Sequence, residues 1–463
     1  MQSDHALKKY TLLVAAMASF LTPFMGSAIN LAIPAIGKEF NCNTFMLSWV
    51  ATSYLLASAA FLVPLGRLAD ITGRKKIFIL GISFFGLSSI LCGLAWSVEI
   101  LILFRILQGI GSAMIFGTAM AMLTSVFPPH ERGRVLGINV ASVYTGLSLG
   151  PVLGGTLNHN LGWQSIFYFT ALVSILAVIL TLAKLKEEWA GAAGEKFDFT
   201  GSLLYSIGLA TLMYGVSSVT SSEWAKYLLV FGLFILVVFV RYEINAKQPV
   251  LNIKLFTANV TFAFSNLAAL INYCATFAVA FLLSLYLQVV LGYNSQAAGL
   301  ILLSQPVLMA LLSPLAGTLS DKIQPRVVAS CGMALTTLTL LVFCFLTENT
   351  SLWLIIANLA LLGTGLALFS SPNTNAVMGA VEKKFFGVAS STIGTMRLTG
   401  QTVSMATVTL LLALYLGNTE LSRANPVLLV KSTRMLFAIF TVLCFGGIFA
   451  SLARGDLSSR EKA

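Results

Sequence analysis

Apolar residues run through this chain in blocks longer than most soluble helices or strands, separated by short clusters of charge. No Asp, Glu, Lys or Arg occurs in 10–37, 40–66, 77–98, 106–130, 199–222, 327–347, 349–381 or 435–453. Each gap holds one membrane-crossing helix, since about 30 Å of hydrocarbon takes about 20 helical residues. Two longer gaps hold two helices apiece: 135–183, with a turn predicted at Asn158-His159-Asn160-Leu161-Gly162, and 255–320, with one at Gly292-Tyr293-Asn294-Ser295. A further span near 225–242 is framed by Lys226 and Arg241, and another over 387–416 carries one charge, Arg397. The pattern predicts fourteen spans and an all-α polytopic membrane protein.

The basic residues orient those spans. Alternate connections carry Lys8 and Lys9, then Arg67, Arg74, Lys75 and Lys76, and later Arg132, Lys184, Lys254, Lys322, Lys383 and Arg454, with Arg460 and Lys462 in the tail. The opposite connections hold only Lys38, Lys226, Arg423, Lys431 and Arg434. The positive-inside rule therefore puts both termini in the cytoplasm of a plasma (bacterial inner) membrane protein. The first apolar run is about twice the length of a signal-peptide core, so it is expected to remain as a span.

Composition agrees and removes other classes. Of 463 residues 57% are apolar and 10% charged, against roughly 25% charged in soluble domains. The net charge of +11 is dispersed between apolar runs instead of forming one patch, which argues against nucleic-acid binding. The six cysteines form neither a disulfide framework nor a CxxC metal site. All three histidines, His5, His130 and His159, lie in predicted loops or the tail, and no HExxH, GxSxG or GxxxxGK[ST] motif occurs. The chain is expected to be neither an enzyme nor an ATP-driven pump, and to carry no cofactor or metal.

An internal repeat divides the spans. Gly66-Arg67-Leu68-Ala69-Asp70-Ile71-Thr72-Gly73-Arg74-Lys75-Lys76 links spans two and three, and Gly317-Thr318-Leu319-Ser320-Asp321-Lys322 begins the link between spans ten and eleven. In both, Gly precedes Asp by four residues and a basic residue follows. Two parallel six-helix repeats would place them so. The expected organisation is a six-helix half over 1–190, a linker with two inserted helices over 191–254, and a second six-helix half over 255–463.

With these motifs in place the chain resembles the major facilitator superfamily, and within it the fourteen-helix drug:proton antiporters. Residues 66–76 fit the superfamily's loop signature Gly-x-Leu-Ala-Asp-x-x-Gly-Arg-Lys-x. Leu101, Arg105, Gln108, Gly109, Gly111 and Ala113 fit the motif of span four, and Gly146, Gly150, Pro151, Gly154 and Gly155 fit the exporter signature of span five. The resemblance implies a secondary exporter working by alternating access on a small amphipathic or anionic molecule, with protons as candidate coupling ion and a monomer as the working unit. It gives gating to Gly66, Asp70, Gly73 and Arg74, extended by the repeat to Asp321, and to the five span-five residues. Relatives of this type carry a first-span aspartate five residues before Asn-x-Ala-x-Pro. Here that stretch is Asn30-Leu31-Ala32-Ile33-Pro34, and the aligned position is Met25.

Two arginines lie within spans. Arg397 is about eleven residues into span thirteen, roughly 16 Å deep at 1.5 Å per residue, where a charge costs about 2.5–3.5 kcal/mol. Arg105 lies closer to a membrane face and has the length to snorkel. All seventeen acids fall in loops or at predicted helix ends, so two intramembrane guanidinium groups without a buried acid favour an anionic ligand. Asn30, Gln108, Tyr144, Asn272, Gln305, Asn375 and Gln401 are further candidates for substrate binding. The alternatives are an organic-anion transporter built on Arg397 and Arg105 without proton antiport, and a membrane sensor with a transporter fold.

Overall fold

A computed structural model describes residues 2–42, 44–218, 223–416 and 425–454. Arg423, Arg460 and Lys462, counted above in orienting the spans, lie outside the described residues. Among the described residues fourteen helices are long and apolar enough to cross a membrane. The first eight are α1 (His5–Phe40), α2 (Trp49–Thr72), α3 (Arg74–Gly93), α4 (Val98–Val126), α5 (Pro129–Leu161), α6 (Gln164–Lys184), α7 (Phe199–Ser217) and α8 (Trp224–Asn245). The rest are α9 (Val260–Val290), α10 (Gln296–Lys322), α11 (Pro325–Phe343), α12 (Leu352–Gly379), α13 (Lys383–Tyr415) and α14 (Pro426–Leu452). No strand occurs among the described residues.

The connections are tighter than the sequence suggests. Residues 66–76, read above as a loop, are helical except at Gly73, whose φ of 120° lets α2 stop and α3 start one residue later. The turn expected over 158–162 likewise shortens to Gly162, φ 82°, and Trp163. Between α9 and α10 the expected turn is present: Gly292 has φ 72°, and Asn294 accepts a hydrogen bond from the Ala297 amide at 2.8 Å, capping α10.

Two apolar cores hold the bundle. One gathers Phe24, Phe85, Trp163 and Phe167 from α1, α3 and the α5–α6 region; the other gathers Leu362, Phe343, Phe437 and Phe440 from α11, α12 and α14. A third, smaller cluster joins Leu62 of α2, Phe116 of α4, Tyr205 of α7 and Leu398 of α13, and Tyr205 and Thr395 share a hydrogen bond of 2.9 Å. Thus α7 packs on the bundle, whereas α8 turns Val230, Phe234 and Val237 outward, each more than 60% exposed. In a bilayer that face meets lipid.

Candidate functional site

At the end of the bundle that carries Lys8, Arg67, Arg74, Arg132 and Lys383, hereafter the basic end, the repeat becomes three-dimensional. Asp70 at the close of α2 is fully buried. Its Oδ1 accepts from the Gly387 amide at 2.9 Å and its Oδ2 from the Val388 amide at 3.0 Å, both in the first turns of α13. Arg74 donates to Oδ1 through Nε (2.9 Å) and Nη2 (2.6 Å), through Nη1 to Ser125 Oγ (2.7 Å), and to the Lys383 carbonyl. A carboxylate here meets free amides and the positive end of a helix dipole together with an arginine that places two donors on Oδ1.

Asp321 repeats the device from the other side. Its Oδ1 accepts from the Gly133 amide at 2.7 Å and its Oδ2 from the Arg134 amide at 2.9 Å, near the start of α5. Position i+4, occupied after Asp70 by Arg74, is Pro325 here, and Asn375 supplies the side-chain donor instead, to Asp321 Oδ1 (3.4 Å) and Ser320 Oγ (3.0 Å). Asn375, a candidate ligand residue by sequence, thus belongs to this latch. Gly66 is small for a reason: a Cβ there would lie 2.7 Å from the Gly387 carbonyl oxygen and clash with Ser391 Oγ.

The linker after α6 clasps the same region. Arg74 N donates to the Trp189 carbonyl and Ala192 N to the Asp70 carbonyl, each at 2.9 Å. Glu188 accepts from the Lys75 amide (2.8 Å) and the Lys76 amide (3.1 Å), capping α3, and buried Arg67 pairs with Glu195. Nothing in one dimension signals this clasp, because Glu188 and Glu195 read as solvated linker charges.

The two intramembrane arginines part company. Arg105 is fully buried and does not snorkel: Nε donates to the Val50 carbonyl at 2.8 Å, Nη1 to Gln108 Oε1, and the guanidinium lies 4.4 Å from the centre of the Tyr54 ring. Gln108 passes the chain to Ser89 Oγ at 2.7 Å, and Tyr54 donates to Ser112 Oγ at 2.9 Å. In this conformation Arg105 and Gln108 stiffen the wall formed by α2, α3 and α4 and are closed to a ligand. Arg397 is only partly buried, 4.3 Å from the centre of the Phe116 ring, within electrostatic reach of Tyr54 and Tyr144. Among the described residues no carboxylate pairs with it.

The other candidates scatter. Tyr144 lies within electrostatic reach of Tyr273. Asn272 is buried with neither amide atom hydrogen-bonded, Gln305 and Gln401 are half-buried, and Asn30 is exposed, with a long 3.4 Å hydrogen bond to the Gly26 carbonyl. The face Gly146, Gly150 and Gly154 packs on α1, where Cβ atoms on the last two would each stand 2.6 Å from Ser27 and Ala28; Gly155 faces Leu31 and Pro151 is exposed. Phe116 was missed, because a phenylalanine in an apolar span gives no signal. Burial also corrects the expectation of no buried acid: Asp70 and Glu243 do sit at helix ends, yet are 0% and 2% exposed because those ends are covered by other segments.

Two segments of the chain, 15–269 and 265–462, match the family model of the Major Facilitator Superfamily. The chain belongs to that superfamily. Its fourteen spans fit the drug:proton antiporter type within it. This facilitator is 32% identical over 424 residues to the multidrug resistance protein Stp of Mycobacterium tuberculosis, covering 90% of the chain and 78% of the relative. It is 27% identical over 445 residues to the riboflavin transporter RibZ of Clostridioides difficile, covering 96% and 97%. Among solved structures the human organic anion transporter MFSD10 superposes with a TM-score of 0.66 at 13% identity, over 97% of this chain and 99% of that one, a likeness of fold. As a facilitator the chain is an integral membrane transporter of small molecules.

Proposed function

We propose that this facilitator is a plasma-membrane secondary exporter, a monomer with its basic end in the cytoplasm, moving amphipathic organic molecules that carry a negative charge. Arg397 carries the reading: a guanidinium inside a span, partly accessible, backed by Phe116 and with no carboxylate beside it. Such a group is best compensated by an anionic ligand, and the aromatic side chains nearby favour a flat apolar body. The names of Stp and RibZ, a multidrug resistance protein and a riboflavin transporter, fit a site that takes ring systems. Basic residues concentrated at one end support the orientation.

The latches support a reading of alternating access. Each ties one half to a helix start of the other through contacts that can break as a set, and Gly66 and Gly133 permit the close approach on which they depend. The glycine face of α5, packed on α1, lets those two helices move as one body when the opposite end closes. Of the other candidates, Tyr144, within electrostatic reach of Arg397, extends the ligand surface, while Arg105 and Gln108 stiffen the wall behind it.

The test is flux through the purified protein in liposomes, with carboxyfluorescein as anionic probe and ethidium as cationic probe. Arg397→Gln should cut carboxyfluorescein transport by about 10- to 100-fold, the worth of one charge-assisted contact. Unchanged anion flux in that variant would remove the reading, and ethidium flux that ignores the substitution would identify a cation exporter instead.

A further inference from the structure

Where the inserted pair α7–α8 meets the linker, two carboxyl groups each leave one buried oxygen without a donor among the described residues. Glu243, near the end of α8 and 2% exposed, uses Oε2 to accept from the Leu251 amide at 3.2 Å, while its buried Oε1 has no hydrogen-bond partner. Asp198 caps α7 through Oδ1, which accepts from the Gly201 amide at 2.9 Å and from the Tyr242 hydroxyl at 3.2 Å, while its buried Oδ2 is likewise unpartnered. Both free oxygens crowd the space over Gly201: a Cβ there would stand 2.6 Å from Asp198 Oδ2 and would clash with Glu243 Oε1.

Two ionised carboxylates cannot share such a space cheaply; one proton held between them removes both the repulsion and the unpaired acceptors. Arg67 of α2, itself buried, lies within electrostatic reach of Glu243; its Nη2 pairs with Glu195 and its Nη1 has no hydrogen-bond partner among the described residues. Tyr242 donates a hydrogen bond to Asp198 and lies within electrostatic reach of both acids. Lys196 and Lys247, neighbours in sequence, are exposed and ion-pair with neither acid.

We propose that Glu243, set against Asp198 over Gly201, is a proton-binding site that controls the clasp on the basic end. With one proton bound the pair is self-sufficient, and Arg67 stays with Glu195, the arrangement in this structure. Releasing that proton to water leaves two charges beside Arg67. Arg67 then turns its free Nη1 toward Glu243, loosening Glu195 and with it the linker that holds the Asp70 carbonyl and the Arg74 amide. Acid keeps the clasp shut and alkali frees it. Neither the anion reading of Arg397 nor any transported molecule enters this argument.

Hydrogen exchange of the full chain in lipid nanodiscs, corrected for the intrinsic pH dependence of exchange, reads the clasp through peptides spanning 185–198. In the wild type, protection there should fall between pH 6 and pH 9. Glu243→Gln, which mimics the protonated acid, should keep it at both. Equal loss of protection in wild type and Glu243→Gln, or no loss in the wild type, would overturn the proposal. Infrared difference spectra over the same pH range supply a second reading that needs no fold-sensitive variant: a protonated-carboxyl band should disappear on the alkaline side. A wild-type spectrum without a titrating carboxyl band would also overturn it.

Discussion

Two of the arginines enclosed by this bundle, Arg105 and Arg454, have different fates, decided by what surrounds the guanidinium rather than by depth. Arg105 has partners at Nε and Nη1; Arg105→Met leaves buried Gln108 Oε1 without its donor, while the Val50 carbonyl stays in the helical ladder of α2, so stability should fall by about 1–3 kcal/mol, read as a lower melting temperature in detergent. Arg454, just past α14, is 1% exposed, and Nε, Nη1 and Nη2 have no hydrogen-bond partner among the described residues; the centre of the Phe369 ring lies 5.8 Å away. Burial pushes this guanidinium down to about 9 from 12.5. A base held below its unfolded value penalises the fold while it is charged, so the penalty is full below about 9 and fades as pH rises from there toward 12.5. Arg454→Met should therefore stabilise the protein by about 1–4 kcal/mol at pH 7, and the gain should shrink in melts run at pH 10 and above. A lower melting temperature at pH 7 would mean that the charge is compensated. Sequence placed Arg454 among solvated basic residues, since a residue just past a span gives no hint that neighbouring helices enclose it.

At the scale of helices, small residues set how closely the halves meet. A Cβ on Gly133 would stand 2.5 Å from Asp321 Oδ1, and one on Gly317 would clash with the Gly133 carbonyl. Gly66→Ala should hold α2 away from α13 and raise hydrogen exchange at the Gly387 and Val388 amides. Gly26→Ala is the control, because nothing lies within 4 Å of a Cβ there, and it should leave exchange unchanged. The spans were readable because a membrane imposes a length and a charge-free interior that one dimension records. The Gly-to-Asp spacing was readable for a similar reason, as both copies serve one geometry. What one dimension cannot carry is the partner: the i, i+4, i+8 face of α5 was plain from Gly146, Gly150 and Gly154, whereas its packing on α1 was not. Glu188 and Glu195 similarly acquire their roles only when the linker folds back across α2 and α3.

Across the whole molecule the two latches are alike in plan and unequal in chemistry, and that inequality tests whether the halves move as rigid bodies. Asp70 neutralises a buried cation as well as capping α13, so Asp70→Asn leaves Arg74 enclosed without its counter-charge, a loss of about 3–5 kcal/mol. Asp321 meets two amides and an asparagine but no arginine, so Asp321→Asn removes only charge-assisted hydrogen bonds, about 1.5–3 kcal/mol. Exchange at the Gly387 and Val388 amides reports the first latch, and exchange at Gly133 and Arg134 reports the second. If each half is rigid, opening at one latch must open the other, and either substitution should accelerate both pairs of amides, Asp70→Asn by the larger factor. Were Asp70→Asn to quicken only the start of α13 and Asp321→Asn only the start of α5, the latches would be local closures, and the change of access would have to come from bending within helices. The α9 break at Phe277, where the Ala278 amide turns to Ser404 Oγ at 3.2 Å, would then be the first place to look for that bend.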